Sequence, residues 1–138
     1  MENSSIRVII DTNLWVSFLI SKNYIELDKI LTTDQITLIF SRELLEEFLN
    51  VIKRPKLKRF FNNDDVIGIL EIIHDVGIFV DVVSEVEVCR DFKDNFLLAL
   101  AKDSNADYLL TGDKDLLSIG VFEKTRIIAI NEFIKTRF

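Results

Sequence analysis

The sequence predicts an α/β fold, a three-layer α/β/α sandwich around a mostly parallel central sheet of about five strands. Three observations predict it. Short apolar runs rich in β-branched residues alternate along the chain with longer segments whose apolar residues recur at helical spacing. Glycine and proline are scarce, four and one respectively, so the connections are short and no linker-like stretch divides the chain. Acidic residues stand repeatedly where an apolar run ends or a helix starts, the edge at which open α/β sheets collect their ligands.

The elements follow in order. Ile6 to Ile10 is apolar except for Arg7 and lacks polar alternation, which suits a strand buried on both faces. Leu14 to Ile20 and Ile25 to Leu31 read as helices, and Ile36 to Phe40 as a second strand. Ser41 is an N-cap candidate for a helix running to about Ile52, which Pro55 should end or bend. Val66 to Asp75 is helical, Ile78 to Val82 a third strand, Asn95 to Asp103 a helix, Tyr108 to Leu110 a fourth strand and Arg126 to Ile130 a fifth. A final helix covers Glu132 to Thr136. Right-handed crossovers between these strands put helices on both faces of one sheet.

At 138 residues the chain has the size of a single domain, expected to span 1–138. A hydrophobic fraction of 49% beside 29% charged residues excludes a disordered chain. With one cysteine, Cys89, no internal disulfide can form, and there is no long apolar run for a secretory signal or membrane span. The expected location is the cytoplasm. A net charge of −6 argues against a protein that coats nucleic acid with a uniformly positive surface. The positive charge is concentrated instead: Lys53, Arg54, Lys56, Lys58 and Arg59 fall within KRPKLKR, readable as a solvated helix end or as a strip for phosphate contacts.

Each acid has an ordinary use when taken singly. Asp11, followed by Thr12 and Asn13, fits a helix cap. Leu44, Leu45, Phe48, Val51 and Ile52 share one face of their helix. Glu47 projects about 100° from the middle of that face, against about 140° to 160° for Glu43 and Glu46, so it borders the core, as a surface residue or one reaching inward. Asp91 is a candidate N-cap that would put Asp94 at the third helical position, inward-facing, with Asp91 and Asn95 as supporting or water-mediated groups. Asp113 follows its strand through Thr111 and Gly112, while Asp115 competes as the cap of a short helix. Taken together these uses are less sufficient. Carboxylates crowding one crevice repel each other, and such a cluster persists when a cation is present. All-oxygen ligation selects Mg²⁺ or Mn²⁺, and the lone His74 and Cys89 make no zinc site.

These motifs, DTN after the first strand, SRELLEEFLNVIKRPK, RDFKDNFLLALA and ADYLLTGDKDLL, resemble those of the PIN domain from Ile6 to about Phe133. The resemblance implies a PIN-like sandwich with a metal-binding acidic quartet at Asp11, Glu47, Asp94 and Asp113, and Asn13, Thr111 and Asp115 in support. It implies a Mg²⁺- or Mn²⁺-dependent ribonuclease cutting single-stranded RNA, usually a homodimer, often the toxin of a toxin–antitoxin pair held inactive by a small antitoxin. Asp11 and Asp94 are then the principal ligands, Asp113 a direct or water-mediated one, and Glu47 a ligand or the group orienting the attacking water. Asp115 would reach a second metal through water. Phe92 departs from the pattern, standing where relatives often have proline.

Other enzyme classes with this sheet fit less well. A haloacid-dehalogenase-type phosphotransferase needs a second aspartate where Asn13 stands, and a receiver domain needs an acidic pair directly after the first strand. A PIN-fold module that grips RNA or a protein without cutting, and a housekeeping nuclease, both share the whole pattern.

Overall fold

The computed structural model describes residues 5–137. The first strand, β1 (Ile6–Ile10), leads into α1 (Thr12–Ser21) and α2 (Ile25–Leu31); then come β2 (Ile36–Phe40), α3 (Arg42–Ile52), the short α4 (Pro55–Lys58), α5 (Asn63–Val76) and β3 (Gly77–Phe79). The second half is α6 (Phe92–Ser104), β4 (Tyr108–Leu110), α7 (Lys114–Ile119), β5 (Val121–Phe122), β6 (Thr125–Ile128) and α8 (Ile130–Arg137). The strands form one six-stranded sheet in the order β3-β2-β1-β4-β6-β5, parallel throughout except for the β5–β6 pair. The expected sandwich is therefore present, with one strand more than the five predicted.

Successive residues of a strand face opposite sides of the sheet. Val8, Ile9 and Ile10 are all buried, as are Leu109 and Leu110, so both faces at the centre are covered by helices. Trp15 of α1 packs on Phe40 at the end of β2, ring centroids 5.8 Å apart, and fixes α1 against the sheet. Burying side chains of this size contributes about 1.5–3 kcal/mol each, which is why this core sets the strand positions.

The strand order places the site. The chain steps outward from β1 to β2 and β3, then returns to lay β4 on the other flank of β1, with Ile10 in register with Leu110. The direction of the sheet's winding thus reverses between β1 and β4, and beyond the carboxyl ends of those two strands a crevice opens. Asp11 and Thr111 are the residues that follow the two strands, and the Asp11 N–H donates to the Leu110 carbonyl at 3.0 Å.

Two strands differ from their predicted bounds and one strand is additional, while α1, α5, α6 and α8 each extend beyond theirs at both ends. The third strand is Gly77–Phe79 rather than Ile78 to Val82: its ladder partner β2 ends at Phe40, so after the Val80 N–H reaches the Phe40 carbonyl there is nothing left to pair with. Gly77 lets α5 run straight into that strand, since a β-carbon there would lie 2.5 Å from the Ile73 carbonyl oxygen. The last strand is Thr125–Ile128 rather than Arg126 to Ile130, because α8 begins at Ile130. The sixth strand, β5, pairs with β6 across a tight turn in which Glu123 adopts a φ of 54°. That turn lacks the Asn-Gly or Asp-Gly pair that marks a hairpin in sequence, so no local signal announces it.

Candidate metal centre

Asp11 is buried and serves two structural partners. Its Oδ1 accepts from the Asn13 N–H at 3.2 Å, capping α1, and its Oδ2 accepts from the Thr111 hydroxyl at 2.8 Å. Thr111 in turn accepts the Asp113 N–H at 3.0 Å, so one buried hydroxyl ties the ends of β1 and β4 to the start of α7. Burial raises the Asp11 carboxyl above the ordinary carboxylate value, opposed by the bonds from Thr111 and Asn13; Glu47 and Asp113 add to the rise.

Asp94 lies where helix geometry puts it. Asp91 caps α6, accepting the Lys93 N–H at 2.9 Å, and Asp94 at the third position turns inward with only 5% of its surface exposed. Its Oδ2 is buried and has no hydrogen-bond partner. Desolvation pushes its pKa up to about 6, with further contributions from Asp113, Asp91, Asp11 and Asp115. A buried carboxylate without a donor is costly, and a bound cation is the usual remedy.

The third part is the turn after β4. Asp113 caps α7, its Oδ1 accepting from the Asp115 and Leu116 N–H groups at 2.8 and 3.1 Å. This cap brings Asp115 back beside Asp113. Oxygens of Asp94, Asp113 and Asp115 come within 4.8 Å of one another, the one such group of three or more potential metal ligands among the described residues. All three donors are carboxylates, a hard oxygen set suited to Mg²⁺ or Mn²⁺.

Glu47 sits half-buried on α3, whose start is fixed by the buried Ser41 hydroxyl accepting the Leu44 N–H at 3.0 Å. It lies within electrostatic reach of Asp11 and pairs with Lys93 Nζ at 2.9 Å, joining α3 to the start of α6. The structure therefore draws Asp94, Asp113 and Asp115 into one tight group, with Asp11 and Glu47 beside it rather than within it. Asp115 stands in that group through its place beside Asp113.

The supporting residues divide. Thr111 is at the centre, whereas Asn13 contributes its backbone and is exposed. Asn95 turns to the chain before it: its Oδ1 accepts from the Val88 and Cys89 N–H groups at 3.0 and 2.7 Å, and its Nδ2 donates to the Cys89 carbonyl at 2.9 Å. Its role is to pin the segment leading to Arg90, which leaves no side-chain amide atom for a cation. Cys89 beside it has its thiol pushed up by burial and by the surrounding acids, unfavourable for a thiolate ligand. Lys53, Arg54, Lys56, Lys58 and Arg59 are all exposed, running from the end of α3 across α4.

Two cations at the site carry no signal in the sequence. Lys93 is held by Glu47, and Arg90 Nη2 lies 3.6 Å from Asp115 Oδ2. Nothing in the pattern of RDFKDN distinguishes a solvated cation from one held against an acid of another element.

Comparison with known proteins agrees with the fold. A family model of the PIN domain matches residues 7–115, a span that contains every acid of the site. Uncharacterized protein MJ1680 of Methanocaldococcus jannaschii is 33% identical over 122 residues, 86% of this chain and 78% of that protein. The crystal structure of VapBC2 from Rickettsia felis, bound to a DNA fragment from their promoter, superposes with a TM-score of 0.59 at 15% identity over 88% of this chain and 97% of that one, a likeness of fold. No helix among the described residues is long and apolar enough to cross a membrane. On the extent of the family match and the identity to the archaeal relative, the chain belongs to the PIN domain family.

Proposed function

We propose that this PIN domain is a divalent-metal-dependent endoribonuclease that hydrolyses single-stranded RNA. The observation that carries the reading is Asp94: a buried carboxylate with an unpartnered oxygen, facing Asp113 and Asp115. Its donor set fits Mg²⁺ or Mn²⁺, which Asp94, Asp113 and Asp115 would hold, with Asp11 as a further ligand. When bound, the ion supplies a Lewis acid that makes water nucleophilic near neutral pH and offsets charge on the phosphate.

The chain's own residues do the rest. Thr111 keeps Asp11 aimed by donating to its Oδ2, and the Ser41 cap fixes the helix from which Glu47 orients the attacking water. The water oxygen bonds to phosphorus as the bond to the ribose 3′ oxygen breaks, and the products are a 5′-phosphate and a 3′-hydroxyl. The exposed run from Lys53 to Arg59 holds the RNA backbone by phosphate contacts that carry no sequence information.

The test is cleavage of a labelled single-stranded RNA in Mg²⁺ or Mn²⁺ by wild type and Asp11→Asn. Metal-dependent cleavage by wild type, abolished in the variant, is expected. Equal cleavage by both would overturn the assignment, and RNA binding without cleavage in either metal would make the protein a binding module.

The family resemblance further supports a cytoplasmic homodimer acting as the toxin of a toxin–antitoxin pair, with a small antitoxin as partner. Growth arrest on expression, relieved by a neighbouring small gene, is the expected result; harmless expression would point to a housekeeping nuclease.

A further inference from the structure

We propose that Lys93 and Arg90 take the phosphates of the bound strand at the mouth of the acid cluster, and that Glu47 and Asp115 hold the two cations ready until a strand arrives. The inference rests on the nuclease reading above and assigns its phosphate-binding groups. Three observations carry it.

The first is the distribution of the ion pairs. Lys93 Nζ lies 2.9 Å from Glu47 Oε2 and Arg90 Nη2 lies 3.6 Å from Asp115 Oδ2, whereas none of the ion pairs among the described residues involves Asp11 or Asp94. The cations therefore sit on the two more exposed acids, Glu47 and Asp115, and leave the buried Asp11 and Asp94, with the unpartnered Asp94 oxygen, to the metal, while Asp115 is shared between the metal group and Arg90.

The second is exposure. The Lys93 and Arg90 side chains are 58% and 92% exposed, so their pairs are well solvated and weak enough to be exchanged for a phosphate oxygen. A divalent ion on the neighbouring carboxylates loosens them further, because part of the negative charge that holds the cations is then neutralised. An acid cluster with no cation at its rim would instead repel the phosphodiester it has to bind.

The third is placement. Arg90 and Lys93 flank Asp91, the cap of α6, and Asn95 pins the chain just before Arg90 through three hydrogen bonds. From Glu47, where Lys93 is docked, α3 leads about 9 Å along its axis to the cationic run that begins at Lys53. A strand held at Lys93 thus has a continuing path for its backbone.

The experiment uses the full chain carrying Asp11→Asn, which the nuclease reading makes inactive, with Mn²⁺ present. Fluorescence anisotropy measures its affinity for a labelled 12-nucleotide single-stranded RNA at several salt concentrations, and calorimetry measures Mn²⁺ binding. Adding Lys93→Met or Arg90→Met is expected to weaken RNA binding by about fivefold to tenfold. Each of the two substitutions should also reduce the slope of log affinity against log salt by about 0.7, the value for one phosphate no longer neutralised on a single strand. Lys93→Arg should retain most of the affinity, and Mn²⁺ binding should stay the same or tighten as a competing cation is removed. Unchanged RNA affinity and salt slope in both methionine variants would overturn the proposal, as would a fall in Mn²⁺ affinity, which would make the cations organisers of the ligands. If the Asp11→Asn parent still cuts the RNA, or the wild type binds Mn²⁺ but neither binds nor cuts RNA, the nuclease reading itself fails and the assignment falls with it.

Discussion

Replacing Asp94 by asparagine is expected to stabilise the metal-free protein at neutral pH while abolishing its response to metal. The Asp94 carboxyl is raised from 3.8 to about 6, by burial first and then by Asp113, Asp91, Asp11 and Asp115. A carboxyl whose pKa is raised in the folded state favours folding in its protonated form. Its contribution is fully present below about pH 4 and is lost as the pH rises through about 6. Above that, the ionised group costs the fold about 3 kcal/mol, from a rise of about two in pKa at about 1.4 kcal/mol each. Solvent reaching the open side of the crevice, and the need to satisfy the new amide, reduce the expected gain for Asp94→Asn to about 1–2 kcal/mol. For a chain of this length that is roughly 3–6 °C in melting temperature. The assay is calorimetry in EDTA at pH 4 and pH 7.5, then with Mn²⁺ at pH 7.5. The wild type should lose stability between the two pH values and regain it with Mn²⁺, whereas the variant, which keeps the raised carboxyl of Asp11, should lose less and regain none with Mn²⁺. A variant less stable than wild type by the same amount at both pH values would refute the reasoning, since the charge of Asp94 would then carry no strain.

Other features of the site and its scaffold can be probed separately. Thr111→Val removes a hydroxyl that both donates to Asp11 and accepts from Asp113; it should cost about 1–3 kcal/mol in urea unfolding and depress RNA cleavage more than a surface substitution of similar cost. Ser41→Ala deletes the buried cap of α3 and should cost about 1 kcal/mol by the same measurement, with Ser41→Asp restoring part of it. Gly77→Ala forces a β-carbon to 2.5 Å from the Ile73 carbonyl oxygen, and a loss of about 1–3 kcal/mol is expected; an unchanged unfolding midpoint would show that α5 and β3 shift freely.

The parts of this molecule legible in its sequence are those fixed by local chemistry. Ile6–Ile10 and Ile36–Phe40 show as unbroken β-branched runs because both faces are buried, and Asp91 as a cap predicts the inward turn of Asp94. Ser41 likewise announces α3, and with it the border position of Glu47. What is not legible depends on partners distant along the chain or on stretches without a period. The end of β3 is set by where β2 stops, and α5 begins three residues early because Asn62 accepts the Asp64 N–H, in a polar stretch with no apolar period to read. Asn95 reads as a ligand-side residue because of its neighbours, but its amide is used by the backbone at Val88 and Cys89. Lys93 and Arg90 belong to the site only through Glu47 and Asp115 on other elements, a relation that no local pattern encodes.

The central claim is that the acids at the switch between β1 and β4 hold a divalent cation. A crystal soaked in Mn²⁺ and measured at a wavelength where manganese scatters anomalously tests it most directly. An anomalous peak is expected between the carboxylates of Asp94, Asp113 and Asp115, at about 2.0–2.2 Å from their oxygens, with Asp11 adjacent. No peak at these carboxylates at saturating Mn²⁺, or a peak only elsewhere on the surface, would contradict it.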